Sequence, residues 1–241
     1  MTETAVASSK AEVHHSHRDV AGGWLRPSVF GAMDGLVSNV ALISGVAAAA
    51  GTHVHVVLIT GLAGLLAGSF SMAVGEWTSV NSQTELVRAE IDKERRELHH
   101  RPEAEQAELA ALYVSRGVSR DLATQVARQL SRNPESLWRI HVREELGVDP
   151  DALPSPYVAA ASSLLSFAFG AFLPLLPYVA GAHHLWMSLV LAAVALSGLG
   201  AAVAHFTERP LWLGALRQLA LGAAAAAITY GVGSAFGVGL S

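Results

Sequence analysis

Asp34 is the only ionisable residue in an apolar run, GAMDGLVSNVALISG from Gly31, that otherwise suits lipid. Insertion scales charge about 2.5 to 3.5 kcal/mol for a central aspartate, so such a group usually faces a partner, a cavity or an ion path. A hydrogen-bonded structural aspartate is the plainer alternative. A second apolar run contains SMAVGEWTS, where Met72 and Glu76 are four residues apart and so share a helical face, which Ser79 and Gln83 continue. Carboxylate oxygen with thioether sulfur suits a divalent transition metal of intermediate character better than Mg²⁺ or Ca²⁺. A methionine by itself is more often core filler.

A third group of candidates lies in polar sequence. Glu90, Glu94 and Glu97 follow an i, i+4, i+7 pattern, Glu105 and Glu108 are three apart, and His141 and Glu145 are four apart. Like charges at these spacings repel by about a few tenths of a kcal/mol per pair, so a cation held between two such helices would relieve them. Pairing with Arg88, Lys93, Arg96 and Arg101 on a solvated face is the competing explanation. The chain has no cysteine, which excludes thiolate ligands and disulfides. Glu97 and His100 form an ExxH, half of what a di-iron carboxylate bundle requires, and no second copy occurs. His14, His15 and His17 lie in a polar tail near the start, and His53, His55, His183 and His184, between apolar runs, could meet a departing cation but read more simply as ordinary loop residues.

The elements that must position these groups are membrane helices. Hydrophobic residues make up 51% of the chain and charged ones only 15%, with a mean hydropathy of +0.38. Apolar runs of about 20 residues cross the hydrocarbon of a bilayer, and five occur: Pro27 to Gly51, Val54 to Thr78, Tyr157 to Val179, Leu185 to His205 and Leu211 to Leu240. The expected fold class is therefore all-α, a five-span membrane protein with a helical insert between spans two and three. Domain boundaries follow from charge: a polar tail over 1–26, two spans over 27–81, the insert over 82–153 and three spans over 154–241. Of the 16 Lys and Arg, eleven lie between Ser82 and Leu153, and Lys10, Arg18 and Arg26 precede the first span. By the positive-inside rule the tail and the insert are cytoplasmic, and the C-terminus lies outside. Within the insert, QTELVRAEIDKERRELHH lacks Gly and Pro and continues the second span as one helix, which Pro102 ends. Gly117 stops the next helix, Ser119 caps a third, and Asn133 with Pro134 opens a fourth that Gly147 terminates.

Glycines at 31, 35, 64 and 68 let the first two spans approach their neighbours closely. One Asp, one Glu and one Met make a thin ligand set, and a twofold axis beside these spans would double it, so a homodimer is expected. No nucleophile elbow, P-loop or HExxH motif occurs, and nothing points to nucleic acid.

The ordered pieces GAMDGLVSNVALISG, SMAVGEWTSVNSQTEL, ERRELHHRPEAEQAEL, EELG, FLPLLPY and ITYGVG resemble the vacuolar iron transporter family, in a bacterial-type form, from about Arg26 to the C-terminus. The resemblance implies a dimer of five-span chains in the bacterial plasma membrane, with no prosthetic group. It would move Fe²⁺, and often Mn²⁺, out of the cytosol in exchange for protons, after a helical domain collects the metal. On this chain the family's first-span aspartate falls on Asp34 and its second-span methionine on Met72, with Glu76 following. The paired ExxE glutamates fall on Glu94, Glu97, Glu105 and Glu108, and the closing glutamate on Glu145. Where relatives often have two adjacent methionines before that glutamate, this chain has His141 and Val142.

The expectation is thus a secondary transporter and not an enzyme. Carboxylates of the insert gather the cation, Asp34, Met72 and Glu76 pass it at a dimer axis, and protons displace it. A membrane-tethered di-iron oxidase and a metal sensor that transports nothing are the alternatives.

Overall fold

The computed structural model describes residues 23–50, 53–182 and 184–237. Among the described residues every regular element is helical, and five helices are long and apolar enough to cross a membrane. The first, α1, spans Leu25–Ala50. Helix α2 spans Val54–His100 without interruption, 47 residues. Its first half is apolar and its second half charged, but both halves are helix formers without Gly or Pro after Gly75, so nothing stops propagation at residue 82. Arg101, the residue before Pro102, does stop it: proline disfavours the α region for its predecessor, and Arg101 lies at φ −136°, ψ 50°.

Three short helices complete the insert: α3 (Pro102–Ser115), α4 (Arg120–Leu130) and α5 (Pro134–His141). The Asn133 side chain caps α5 by accepting from the Ser136 N–H at 3.3 Å. A single wide turn with π-type hydrogen bonding, Val142–Leu146, follows α5 and ends at Gly147, whose φ of 66° is open to glycine at little strain. Leu109, Ala127 and Leu137 form the core of this unit, with Leu98, Tyr113 and Ile140 packed around them.

The chain returns to apolar sequence in α6 (Pro156–Phe172). The run from Tyr157 to Val179, read from sequence as one span, is broken near its end. A 3₁₀ turn over Leu173–Leu175 intervenes before α7 (Leu176–Val179). Pro174 and Pro177 account for it, because each lacks a backbone donor and crowds the preceding turn. Helices α8 (Leu185–Phe206) and α9 (Leu211–Gly237) complete the bundle.

Helix α1 is central, packed between α6 and α9, with α2 against α6 and α8 against α9. The α1–α6 crossing is close because a Cβ at Gly35 would overlap the Phe167 carbonyl and one at Gly170 the Ala32 carbonyl. Neither obstacle is a side chain that can move aside. The first-span glycines therefore serve contact with α6, whereas Gly64 and Gly68 face Leu42, Asn39 and Phe167. Phe70, Val74, Leu165, Phe169, Val194 and Ile228 are each more than 60% exposed, a surface suited to hydrocarbon and not to water.

Candidate metal sites

Four side chains from four elements converge inside the insert. Glu94 comes from the charged half of α2, Glu105 from the first turns of α3, His141 from the last residue of α5 and Glu145 from the π-type turn. One ligand atom from each lies within 4.8 Å of all the others. Ligands on opposite sides of a transition metal are about 4 to 4.5 Å apart, given bonds of roughly 2.0 to 2.2 Å, so the cluster has the dimensions of a coordination shell. His141 is fully buried. Its Nδ1 is 3.0 Å from Glu94 Oε1, 3.1 Å from Glu145 Oε1 and 3.9 Å from Glu105 Oε2. One ring nitrogen has one proton to share and cannot serve three carboxylates. Accordingly Glu94 Oε1, though near, has no aligned hydrogen bond, and His141 Nε2 is buried without a partner.

This crowding shows in the electrostatics. Burial first, and then the charges of Glu145, Glu105, Glu97 and Glu108, push the Glu94 carboxyl up to about 7. Burial, then Glu108, Glu97 and Glu145, also raise Glu105, while Arg101 opposes them. A divalent cation would supply the positive charge that the cluster lacks. Three carboxylate oxygens with one imidazole suit a first-row divalent metal.

The wide turn decides which of two adjacent glutamates joins. Arg116 pairs with the Glu144 carboxylate and donates from Nη2 to the Glu144 carbonyl oxygen at 2.9 Å. Tyr113 donates to Glu144 Oε1 at 3.3 Å. Glu144 is thereby held toward α3, and Glu145 reaches His141. Of the other expected residues, Glu97 is half-buried and Glu108 exposed; both act on Glu94 by charge but stand outside the tetrad. Glu90 is exposed beside Lys93 at 3.9 Å. His100 sits on the surface with Nδ1 2.7 Å from the Arg96 carbonyl oxygen, so the ExxH does not enter the cluster.

The second site is sparser. Asp34, Ser38, Asn39 and Leu42 of α1, Gly64, Gly68, Ser71 and Met72 of α2, and Phe167 of α6 line an open cleft of about 330 Å³. Asp34 and Met72, distant in sequence, thus meet one space. The Asp34 carboxylate is exposed to it, and no hydrogen bond or ion pair to that carboxylate occurs among the described residues. This disfavours the structural alternative for Asp34. Glu76, one turn beyond Met72, is half-buried and does not line the cleft. Asn39 is a residue the sequence reading passed over. Its Nδ2 donates to the Ala171 carbonyl oxygen at 2.6 Å, and its Oδ1 is buried without a partner, a state worth about 1 to 3 kcal/mol of lost solvation. Arg217, exposed in α9 about two turns from its start, is a further charge within an apolar helix not read from sequence. His53, His55 and His184 are exposed and join no cluster; His14, His15, His17 and His183 lie outside the described residues.

Comparison with known proteins adds a second line of observation. A model of the VIT family matches residues 25–234. A protein of Acanthamoeba castellanii named vacuolar iron transporter is 40% identical over 227 residues, covering 90% of this chain and 81% of its own length. Vacuolar iron transporter homolog 1 of Oryza sativa subsp. japonica is 36% identical, covering 89% and 75% respectively. For vacuolar iron transporter 1 of Arabidopsis thaliana the identity is 31%, with 90% and 88% covered.

Proposed function

Because this chain belongs to the VIT family, we propose that it is a membrane transporter of divalent iron, and of Mn²⁺ as a second cargo, that exports metal from the cytosol in exchange for protons. The observation that carries this reading is that one helix, α2, contributes Glu94 to a buried four-ligand cluster and Met72 to an open cleft among the apolar helices. In this account Glu94, Glu105, His141 and Glu145 collect the ion, and Glu97 and Glu108 raise the negative field around them. Asp34 and Met72 then pass the ion across the bilayer, with Glu76 at the cytosolic approach. Proton and metal compete for the same carboxylate oxygens, since ligands must be deprotonated to bind. A proton arriving from the far side therefore releases the ion.

One chain offers an incomplete ligand set at the open cleft. A second copy related by a twofold axis would supply another Asp34 and Met72, so the working unit is a homodimer. The excess of Lys and Arg in the insert supports a cytosolic side for it, and a bacterial plasma membrane is the proposed location. The test uses the full chain in vesicles holding a metal-sensitive dye, with an imposed pH gradient. Fe²⁺ should cross, with faster movement toward the acidic side and counterflow of protons. Vesicles that stay dark while the protein still binds metal would leave a sensor in place of a transporter.

A further inference from the structure

We propose that Asn39 is a ligand of the travelling ion, a neutral oxygen donor in the Asp34–Met72 cleft that helps decide which divalent metal passes. The proposal rests on the transport reading above. Its starting point is the orientation of one amide. A backbone carbonyl only accepts, so the side-chain atom 2.6 Å from the Ala171 carbonyl oxygen must be the amide nitrogen. That contact fixes Oδ1 on the opposite side, toward α2.

Two observations then point to a ligand. Asn39 is 2% exposed, yet Oδ1 has no hydrogen-bond partner, which leaves a buried acceptor carrying its desolvation cost. A purely structural asparagine, placed to pin α1 to α6, would have both ends of its amide engaged. Opposite Oδ1 stands Gly64, where a Cβ would approach the oxygen to 3.3 Å. Gly64 lines the cleft with Asn39, Asp34 and Met72, and a side chain there would also meet Leu42 Cδ2 at 2.5 Å. The neighbouring Ser38 hydroxyl donates to the Asp34 carbonyl oxygen at 2.5 Å, which leaves its own oxygen free to accept.

An amide oxygen is a hard, uncharged donor. Beside the carboxylate of Asp34 it favours Mn²⁺ and Fe²⁺, and it weighs against the thioether of Met72, which favours softer ions such as Cd²⁺. Asn39 therefore tunes preference without changing the charge of the path.

The experiment compares Mn²⁺, Fe²⁺ and Cd²⁺ flux through the full chain in dye-loaded vesicles. Asn39→Leu removes the oxygen at similar volume, and Asn39→Asp keeps an oxygen and adds charge. Asn39→Leu should raise KM for Mn²⁺ at least roughly tenfold, the lower end of what even outer-shell partners of a metal contribute, and shift the Mn²⁺ to Cd²⁺ ratio toward Cd²⁺. Asn39→Asp should shift that ratio toward Mn²⁺, and it decides the matter if the leucine variant does not insert. Unchanged KM and ratios overturn the proposal, as does an equal fall in maximal rate for all three ions with a lowered thermal midpoint, which marks a helix-pinning role. A wild-type chain that carries no ion removes the transport reading together with this one; wild-type flux beside an indifferent Asn39 variant removes this one alone.

Discussion

The insert and the membrane cleft hold similar chemistry in opposite arrangements. Four ligand atoms crowd within 4.8 Å in the insert, with the histidine fully buried. The cleft has one exposed carboxylate and one half-buried thioether around open space. A site that completes the shell of an ion holds it, and a path must bind weakly enough to let it leave. On the proposed reading this difference separates capture from passage, and it can be attacked at either end.

The largest effect should come from crossing the two sites. Asp34→Ala should reduce Fe²⁺ flux at least a hundredfold, on the order of 3 kcal/mol, while metal affinity measured by calorimetry on the full chain stays at the wild-type value. His141→Ala should do the reverse, lowering affinity by roughly 10 to 100 fold with flux retained at saturating metal. Equal losses of both properties in both variants would erase the distinction.

An intermediate effect follows from the raised carboxyl of Glu94, near 7 against an ordinary 4.5. Metal requires the ionised form, so affinity of the insert should fall about tenfold per pH unit below 7, where Glu94 holds a proton. Metal-free protein should show the opposite trend in stability. Between about pH 4.5 and 7 the folded chain keeps a proton that the unfolded chain has released, so stability is lost as pH rises across that window and levels off above it. Calorimetric titration with Asp34→Ala protein isolates the insert, and thermal melts of the metal-free chain check the second trend. A flat affinity from pH 5 to 8 would mean that Glu94 is not a ligand.

The smallest effect belongs to Arg116. Its pair with Glu144 is half-exposed, and such pairs contribute about 0 to 1 kcal/mol. Arg116→Ala should weaken metal binding by no more than about fivefold, by letting Glu144 compete with Glu145 for His141. A much larger loss would show that the wide turn depends on that one contact.

Much of this architecture was legible in the sequence. Run length and hydropathy gave five spans, and Pro102, Gly117 and the Asn133–Pro134 pair punctuated the insert where the helices end. Helical spacing placed Glu90, Glu94 and Glu97 on one face, but spacing fixes only direction around a single helix. It does not say which part of that face meets α3 and α5, so Glu94 enters the cluster while Glu90 stays beside Lys93. The turn that selects Glu145 over Glu144 directs Glu144 to Arg116, a partner 28 residues away that spacing along one helix does not reveal. Asn39 was missed because a polar residue of modest hydropathy inside an apolar run reads as neutral. Its meaning comes from the Ala171 carbonyl 132 residues away. The break at Leu173–Leu175 was overlooked for a related reason: hydropathy ignores backbone donors, and the two prolines change nothing in it.

Helix α2 has a mechanical consequence. From Met72 to Glu94, at about 1.5 Å per residue, is roughly 33 Å of continuous helix with no proline and, beyond Gly75, no glycine to act as a joint. Such a rod behaves as a lever arm. A tilt of about 10° at the cleft sweeps the far end through roughly 6 Å at that length, wider than the whole four-ligand cluster, so α2 cannot swing by itself without dismantling the shell its own glutamate helps to build.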